Sequence, residues 1–253
     1  IGGGNASDRE TTSTTKGSTP QPNWYDKSHQ YWDDDKNVPP TLDGMLGGFS
    51  HLTEKDLKAS RIFVDEVLEA RPLLKQAILH GPKSRSCECG AGIGRITKGL
   101  FLPLGLYCDL VETSSRLLGA APDYIGKEAI RCEFIRSGLQ DFYPSEHSYD
   151  IIWLQWVIGY LNDWDLCNLF HRLGRALRPG GVIVVKDNTC NEEAFLSDRG
   201  DGDITRSYQY LMAIIRESGL KVVQSDCGEM IQWQTDFPDD IWPVPMIALC
   251  VEE

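Results

Sequence analysis

A chain of 253 residues, 41% hydrophobic and 25% charged, can bury a substantial core, and one folded unit is the simplest count. Its formal net charge of −12 argues against nucleic acid as a direct substrate, because phosphate contacts need a basic surface; it allows a cationic ligand to be drawn in. No apolar run approaches the ~20 residues of a membrane span and no leader pattern opens the sequence, so neither membrane attachment nor secretion is expected.

Residues 1–23 are rich in Gly, Ser, Thr and Pro without apolar periodicity and are expected to be a flexible tail. A single domain is expected over 24–253, with an N-terminal arm and helices at 24–80 and an α/β core at 81–253. Trp24, Tyr25, Tyr31 and Trp32 place four aromatics in nine residues, unusual for a free linker. They read as an arm packed on the domain or as part of a lid. The stretch 38–48, with Pro39-Pro40 and Gly47-Gly48, reads as a loop. Thr53 is the expected N-cap of a helix running through Leu57, Ile62, Val64 and Leu68 towards Pro72, with Asp56 at N3 as in a capping box. A short helix over 73–79 follows.

Strands expected near 85–89, 106–112, 131–136, 149–154 and 181–186 then alternate with helices near 93–101, 114–125, 163–177 and 204–218. That alternation implies a parallel sheet with helices on both faces. The last two apolar runs, 220–226 and 244–251, are joined by a loop with Pro238-Asp239-Asp240 and no helix, which favours an antiparallel return. The predicted fold is α/β: a Rossmann-like seven-stranded sheet with its last strand antiparallel and an N-terminal helical extension. Ligands in such sheets bind beyond the carboxyl ends of the strands.

At the end of the first strand stands Cys89-Gly90-Ala91-Gly92-Ile93-Gly94-Arg95. Gly90 and Gly92 free a tight turn for close approach of a ligand, and Gly94 opens the next helix close to the sheet. Glu112, ending the next apolar run, stands where an acidic side chain accepts hydrogen bonds from ribose. Alone, such a turn is a weak signal, and a loop needing glycine only for packing is the plain rival. The G-x-G-x-G spacing, rather than G-x-G-x-x-G, suits an adenosine ligand without phosphates and favours S-adenosylmethionine over a dinucleotide. The eight cysteines have no C-x-x-C spacing and read as reduced and structural, so no metal is expected. His29, His80, His147 and His171 read as structural; only His51 sits where a site role is worth keeping open.

Several segments carry more than pattern: Pro-Pro-Thr-Leu-Asp-Gly-Met-Leu-Gly-Gly at 39–48, Cys-Gly-Ala-Gly-Ile-Gly-Arg-Ile-Thr-Lys at 89–98 and Gly-Leu-Gln-Asp-Phe at 138–142. Further on come Tyr-Asp-Ile-Ile-Trp-Leu-Gln-Trp-Val-Ile-Gly-Tyr-Leu at 149–161, Leu-Arg-Pro-Gly-Gly at 177–181 and Val-Val-Lys-Asp-Asn at 184–188. The order of elements resembles the class I S-adenosylmethionine-dependent methyltransferases. More narrowly, these segments resemble the protein N-terminal (α-N) methyltransferases of X-Pro-Lys/Arg amino termini, from about residue 31 to the end.

The resemblance implies S-adenosyl-L-methionine as cofactor, bound by the turn at Gly90 and Gly92, with Gly90 and Arg95 at its methionine end, Glu112 on ribose, Leu139 and Gln140 framing adenine, and Gln155 near the sulfonium. It implies Trp156 and Asn188 on the substrate side, with Asn188 hydrogen-bonding peptide backbone, and Trp32, Leu46, Leu52 and Trp242 as walls of a peptide channel. Tyr160 stands where the family commonly has histidine. Asp198, Asp201 and Asp203 resemble the acidic residues around the amine, Asp203 in place of a serine. Asp201, Tyr160, Asp198 and Asn188 are the expected catalytic set.

The implied activity is methylation of the α-amino group of X-Pro-Lys/Arg N-termini by a cytosolic or nuclear enzyme acting as a monomer on protein or peptide substrates. A methyltransferase of small amines or of other protein groups, and a non-catalytic binding adaptor, remain the alternatives. For the aspartate run the plain reading is a solvated loop, and for the tryptophans it is core packing, expected for Trp153 and not for Trp156.

Overall fold

The computed structural model describes residues 23–252 apart from 82, 192, 199, 235, 239 and 240. The expected tail, save Asn23, and the pair Asp239-Asp240 lie outside the described residues. The first described elements are helices α1 (Asp26–Asp33), α2 (Leu42–Met45), α3 (Thr53–Ala70) and α4 (Pro72–His80). The 38–48 stretch expected as a loop contains the one-turn α2, because Thr41 caps it by accepting the Gly44 N–H at 3.1 Å.

Strands β1 (Arg85–Cys89), β2 (Tyr107–Glu112), β3 (Cys132–Arg136), β4 (Tyr149–Gln155) and β5 (Leu177–Lys186) form the parallel part of the main sheet. Helices α5 (Ser115–Ile125) and α6 (Asp163–Ala176) connect them. Then come β6 (Phe195–Ser197), β7 (Ile204–Arg206), α7 (Tyr208–Glu217), β8 (Lys221–Val222), β9 (Gln224–Ser225), β10 (Gly228–Glu229), β11 (Ile231–Gln234) and β12 (Val244–Cys250).

The sheet order is β11-β12-β5-β4-β1-β2-β3, with β12 antiparallel to β5 and to β11. Its switch point lies at β1, between β4 and β2, where a ligand crevice opens in such folds.

Side-chain alternation along the strands divides the core. Ile152 and Leu154 of β4 and Ile183 and Val185 of β5 face α6 and α7 through Leu166, Phe170, Leu211 and Ile215. Ile151, Trp153, Val182 and Val184 face the opposite way, onto Phe63, Val64 and Val67 of α3 and Leu118 and Ala121 of α5. Helices therefore cover both faces, and Trp153 is fully buried, as expected.

Four boundaries differ from expectation. Residues 204–206 pair with β6 as a β-branched strand, and α7 starts only after Ser207, whose hydroxyl caps it at Tyr210 N, 3.2 Å away. The edge expected as one strand over 220–226 is split: β8 and β11 both pair with β12, while β9 and β10 form a small hairpin of their own, so the sheet counts eight strands. The helix expected over 93–101 is a π-helix at Thr97–Phe101 followed by a 3-10 turn with Pro103 in it. At α3, Thr53 is already helical, Leu52 holds the cap position, and Asp56 is turned inward, 1% exposed.

Candidate active site

A cavity of about 440 Å³ opens at the carboxyl ends of β1, β2, β4 and β5. At the glycine turn, Gly90 has φ +69° and donates its N–H to the Val111 carbonyl at 2.9 Å. A Cβ there would lie 2.4 Å from Val157 Cγ2, so no side chain fits. Glu112 faces the turn: Oε2 accepts the Gly92 N–H at 2.9 Å and Oε1 accepts the Ser114 N–H at 2.8 Å. Burial pushes its carboxyl above the ordinary range, against the pull of those N–H groups. Leu139 and Gln140 reach the cavity from a single 3-10 turn after β3.

Beside the turn sits a buried ionic cluster. Asp56 of α3 pairs with Arg95 Nη1 at 2.6 Å and with Lys186 Nζ at 2.5 Å, and accepts the Gln155 amide at 3.0 Å on each oxygen. Lys186, 0% exposed, also donates to Ser60 Oγ at 2.9 Å. Burial alone would raise the Asp56 carboxyl, but Arg95 and Lys186 together outweigh it and hold it below the ordinary range. Arg95 also lies over the Trp156 ring, 5.3 Å from its centre. Glu88, one residue before the glycine turn's first strand ends, accepts the Thr97 and Ile96 N–H groups at 2.7 and 3.3 Å; burial pushes it up to about 7.

The other half of the cavity is aromatic and acidic. Trp156 holds φ +52°, a left-handed backbone rare for a bulky residue and the kind of strain that collects at functional sites. Asp187 braces the adjoining loop by accepting the Val157, Ile158 and Asn188 N–H groups at 2.9, 3.0 and 2.8 Å, and burial pushes its carboxyl up to about 6. Asn188 Oδ1 is buried without a partner in the described protein. The Tyr160 hydroxyl donates to Asp201 Oδ2 at 2.8 Å, and the Trp32 ring meets Tyr160 edge-on at 5.7 Å.

The aromatic arm is docked: Trp24 Nε1 donates to the Tyr160 carbonyl at 3.1 Å, and Arg116 donates to the Trp32 and Val38 carbonyls at 3.0 and 2.6 Å.

A family model described as "AdoMet dependent proline di-methyltransferase" matches residues 20–250 of this chain. The chain belongs to that family. It is 41% identical over 229 residues to the rat N-terminal Xaa-Pro-Lys N-methyltransferase 1, covering 89% of this chain and 95% of the relative. The human protein of the same name is 39% identical over the same shares. Among solved structures, a SAM-dependent methyltransferase of Leishmania major superposes with a TM-score of 0.76 at 33% identity, covering 89% of this chain and 82% of that one. The glycopeptide N-methyltransferase MtfA complexed with SAM, at 14% identity and a TM-score of 0.53 over 72% of this chain and 87% of its own, shares the fold. The chain is thus an S-adenosylmethionine-dependent methyltransferase.

The residues present fit that cofactor. The cradle at Gly90 admits no Cβ, Glu112 offers buried carboxylate oxygens for ribose hydroxyls, and only Nη1 of Arg95 is spent on Asp56 among the described residues, so its other N–H groups can meet a carboxylate.

Of the catalytic, cofactor-binding and substrate-binding residues expected from the sequence, all but Gly92 and Asp198 line the cavity. Gly92 lies just behind the wall, where a Cβ would strike Met45 Cε at 2.2 Å. Asp198 lies outside the cavity lining: it is exposed beyond the end of β6, and its Oδ1 accepts the Gly200 N–H at 2.5 Å. His51 is exposed against Phe49, whereas His29, expected to be structural, lines the cavity and meets Thr113 Oγ1 at 3.3 Å. Asp56, Glu88 and Asp187 were absent from the expected set. For Asp56 a signal existed: Asp56, Ser60, Phe63, Val64 and Val67 follow one buried helical stripe, and a carboxylate on such a stripe needs cationic partners.

Proposed function

We propose that the chain methylates the α-amino group of protein N-termini of the X-Pro-Lys/Arg type. The observation that carries this reading is an aromatic and acidic wall sharing one cavity with the glycine turn: Trp32, Trp156 and Asn188 with the Tyr160–Asp201 pair. Such a wall suits an extended chain end that carries a cationic amine. The relatives named for Xaa-Pro-Lys support the same substrate class.

S-adenosylmethionine, when bound, supplies an electrophilic methyl group on a sulfonium. Gly90 and Arg95 would hold its methionine end, Glu112 its ribose, and Leu139 and Gln140 its adenine. Gln155 has its amide tied to Asp56 and its oxygen to Trp153 Nε1 at 2.9 Å, so it serves as a fixed wall. Trp32, Leu46, Leu52, Trp156 and Trp242 would bound the path of the peptide and its second-residue proline. Asp201 and Asp203 attract the cationic terminus and, at the rim, a basic third residue. An α-amine with an ordinary pKa of about 7.7–8.0 has a usable neutral fraction near pH 7, whereas a lysine amine at about 10.4 has almost none. Orientation of that neutral nitrogen is the main catalytic contribution asked of the walls. The arm and the core of one chain furnish all these walls, which supports action as a monomer.

Incubation with Ala-Pro-Lys and Ala-Ala-Lys peptides that also carry an internal lysine tests the reading by tandem mass spectrometry. Methyl on the Ala-Pro-Lys terminus is expected. Methyl on internal lysine, or equal rates for both peptides, overturns it.

A further inference from the structure

Resting on that reading, we infer that Asp203 is the group that takes the proton from the substrate's α-ammonium. Four side chains in this part of the cavity are candidates: Tyr160, Asp187, Asp201 and Asp203, of which Asp187 already accepts the Val157, Ile158 and Asn188 N–H groups. The Tyr160 hydroxyl is spent as a donor to Asp201 Oδ2 at 2.8 Å, and burial with the neighbouring Asp201 charge pushes its own titration well above the ordinary tyrosine range. Each Asp201 oxygen already accepts one hydrogen bond, Oδ2 from Tyr160 at 2.8 Å and Oδ1 from the Asp203 N–H at 3.2 Å, so its charge is the better compensated of the two aspartates. The Asp203 carboxylate accepts no hydrogen bond from the described residues. It is wedged against Gly159, where even a Cβ would lie 2.9 Å from its Oδ2, and it faces the cavity. It therefore has free lone pairs and a fixed position.

The groups around it favour a bound proton. The charges of Asp187 at the end of β5 and of Asp201 and Asp198 on the same hairpin repel its own, and Arg206 of β7 opposes them. Arg206 is itself committed to Asp163 and to the Ile158 and Leu161 carbonyls, and Lys27 of α1 packs its alkyl stem on Gly202. Burial and those three carboxylates push Asp203 up to about 7. That matches the donor. An α-amine at about 7.8 gives its proton to a raised carboxylate far more readily than to one at its usual ~3.9. The step balances: the N–H bond breaks as the Asp203 O–H bond forms, the nitrogen keeps the electron pair, and that pair attacks the methyl group.

The test is the pH profile of kcat on the Ala-Pro-Lys peptide for wild type, Asp203→Asn and Asp201→Asn, with calorimetric binding of S-adenosylhomocysteine as the check on folding and on the cofactor half. For Asp203→Asn, kcat is expected to fall tenfold or more at pH 7 and to return to within about twofold of wild type at pH 9, where the amine is neutral unaided. S-adenosylhomocysteine affinity should stay within about twofold. Asp201→Asn is expected to raise the peptide KM at every pH without changing the shape of the profile. A constant wild-type to Asp203→Asn ratio from pH 6.5 to 9.5, a loss confined to KM, or a pH-dependent gap in Asp201→Asn instead overturns the assignment and leaves the substrate reading standing. A wild-type enzyme that leaves the peptide unmethylated at every pH overturns both.

Discussion

Asn188 and Trp156 follow β5 and β4 directly, and each carries an energetic debt in the free protein. Trp156 holds a left-handed backbone, and Asn188 buries an unpaired oxygen. Such costs persist when the surroundings over-determine them, as the Asp187 brace on Val157, Ile158 and Asn188 does here. Asn188→Ala removes the orphan acceptor, so the free protein should be as stable as wild type or more so by about 1 kcal/mol. The peptide KM should rise about tenfold, the worth of one lost hydrogen bond, with S-adenosylhomocysteine binding unchanged. Thermal melts, calorimetry and steady-state kinetics check the three parts, and a destabilised variant with normal KM would show the amide to be structural. Both residues were legible because strand ends announce the ligand crevice. The exposure of Asp198 was not legible, because a run of aspartates in sequence does not say which ones a two-stranded hairpin leaves at the surface.

At the level of elements, α3 is bolted to the sheet by charge as well as by packing. Phe63, Val64 and Val67 supply the apolar contact, while Asp56 ties Arg95, Gln155 and Lys186 from three separate core segments. Removing one partner of a buried ion pair typically costs about 3–5 kcal/mol, because the survivor stays buried and uncompensated. Asp56→Asn should lose that much in chemical denaturation and weaken S-adenosylhomocysteine binding as Arg95 loses its anchor. Adding Lys186→Met removes the stranded ammonium and should recover at least half of the lost stability. A double variant no more stable than Asp56→Asn would mean that Lys186 is not the stranded charge. The capping-box reading of Thr53 and Asp56 failed for a local reason: Leu52 ends a preceding 3-10 turn, so the helix is entered already wound and has no use for a side-chain cap. The five parallel strands and the antiparallel return were legible from apolar runs and connection lengths. The split edge of β8 and β11 was not, since strands of two and four residues leave too little periodicity to read.

Across the whole molecule, charge sets how stability depends on pH. Glu88 and Asp203 are pushed up to about 7 and Asp187 to about 6, all first by burial. A group whose folded pKa is raised binds more protons folded than unfolded. Its stabilising contribution is complete below the unfolded value near 4 and is lost as pH rises through 6–7. Asp56 works in the opposite sense: its contribution is present above the ordinary carboxylate range and is lost only in stronger acid. The net charge of −12 adds self-repulsion as the pH rises. The melting temperature should therefore peak near pH 4–5 and fall towards pH 7–8. For a net change of about 1–2 kcal/mol in a chain of this size, the fall is roughly 2–8 °C. Glu88→Gln isolates the buried part, since the amide oxygen can still accept the Thr97 N–H but no longer ionises. In about 0.5 M salt, where surface repulsion is screened within a few ångströms, the wild-type slope should survive and the Glu88→Gln slope should be shallower. Equal slopes under that screening would place the pH dependence on the surface and not at the glycine turn.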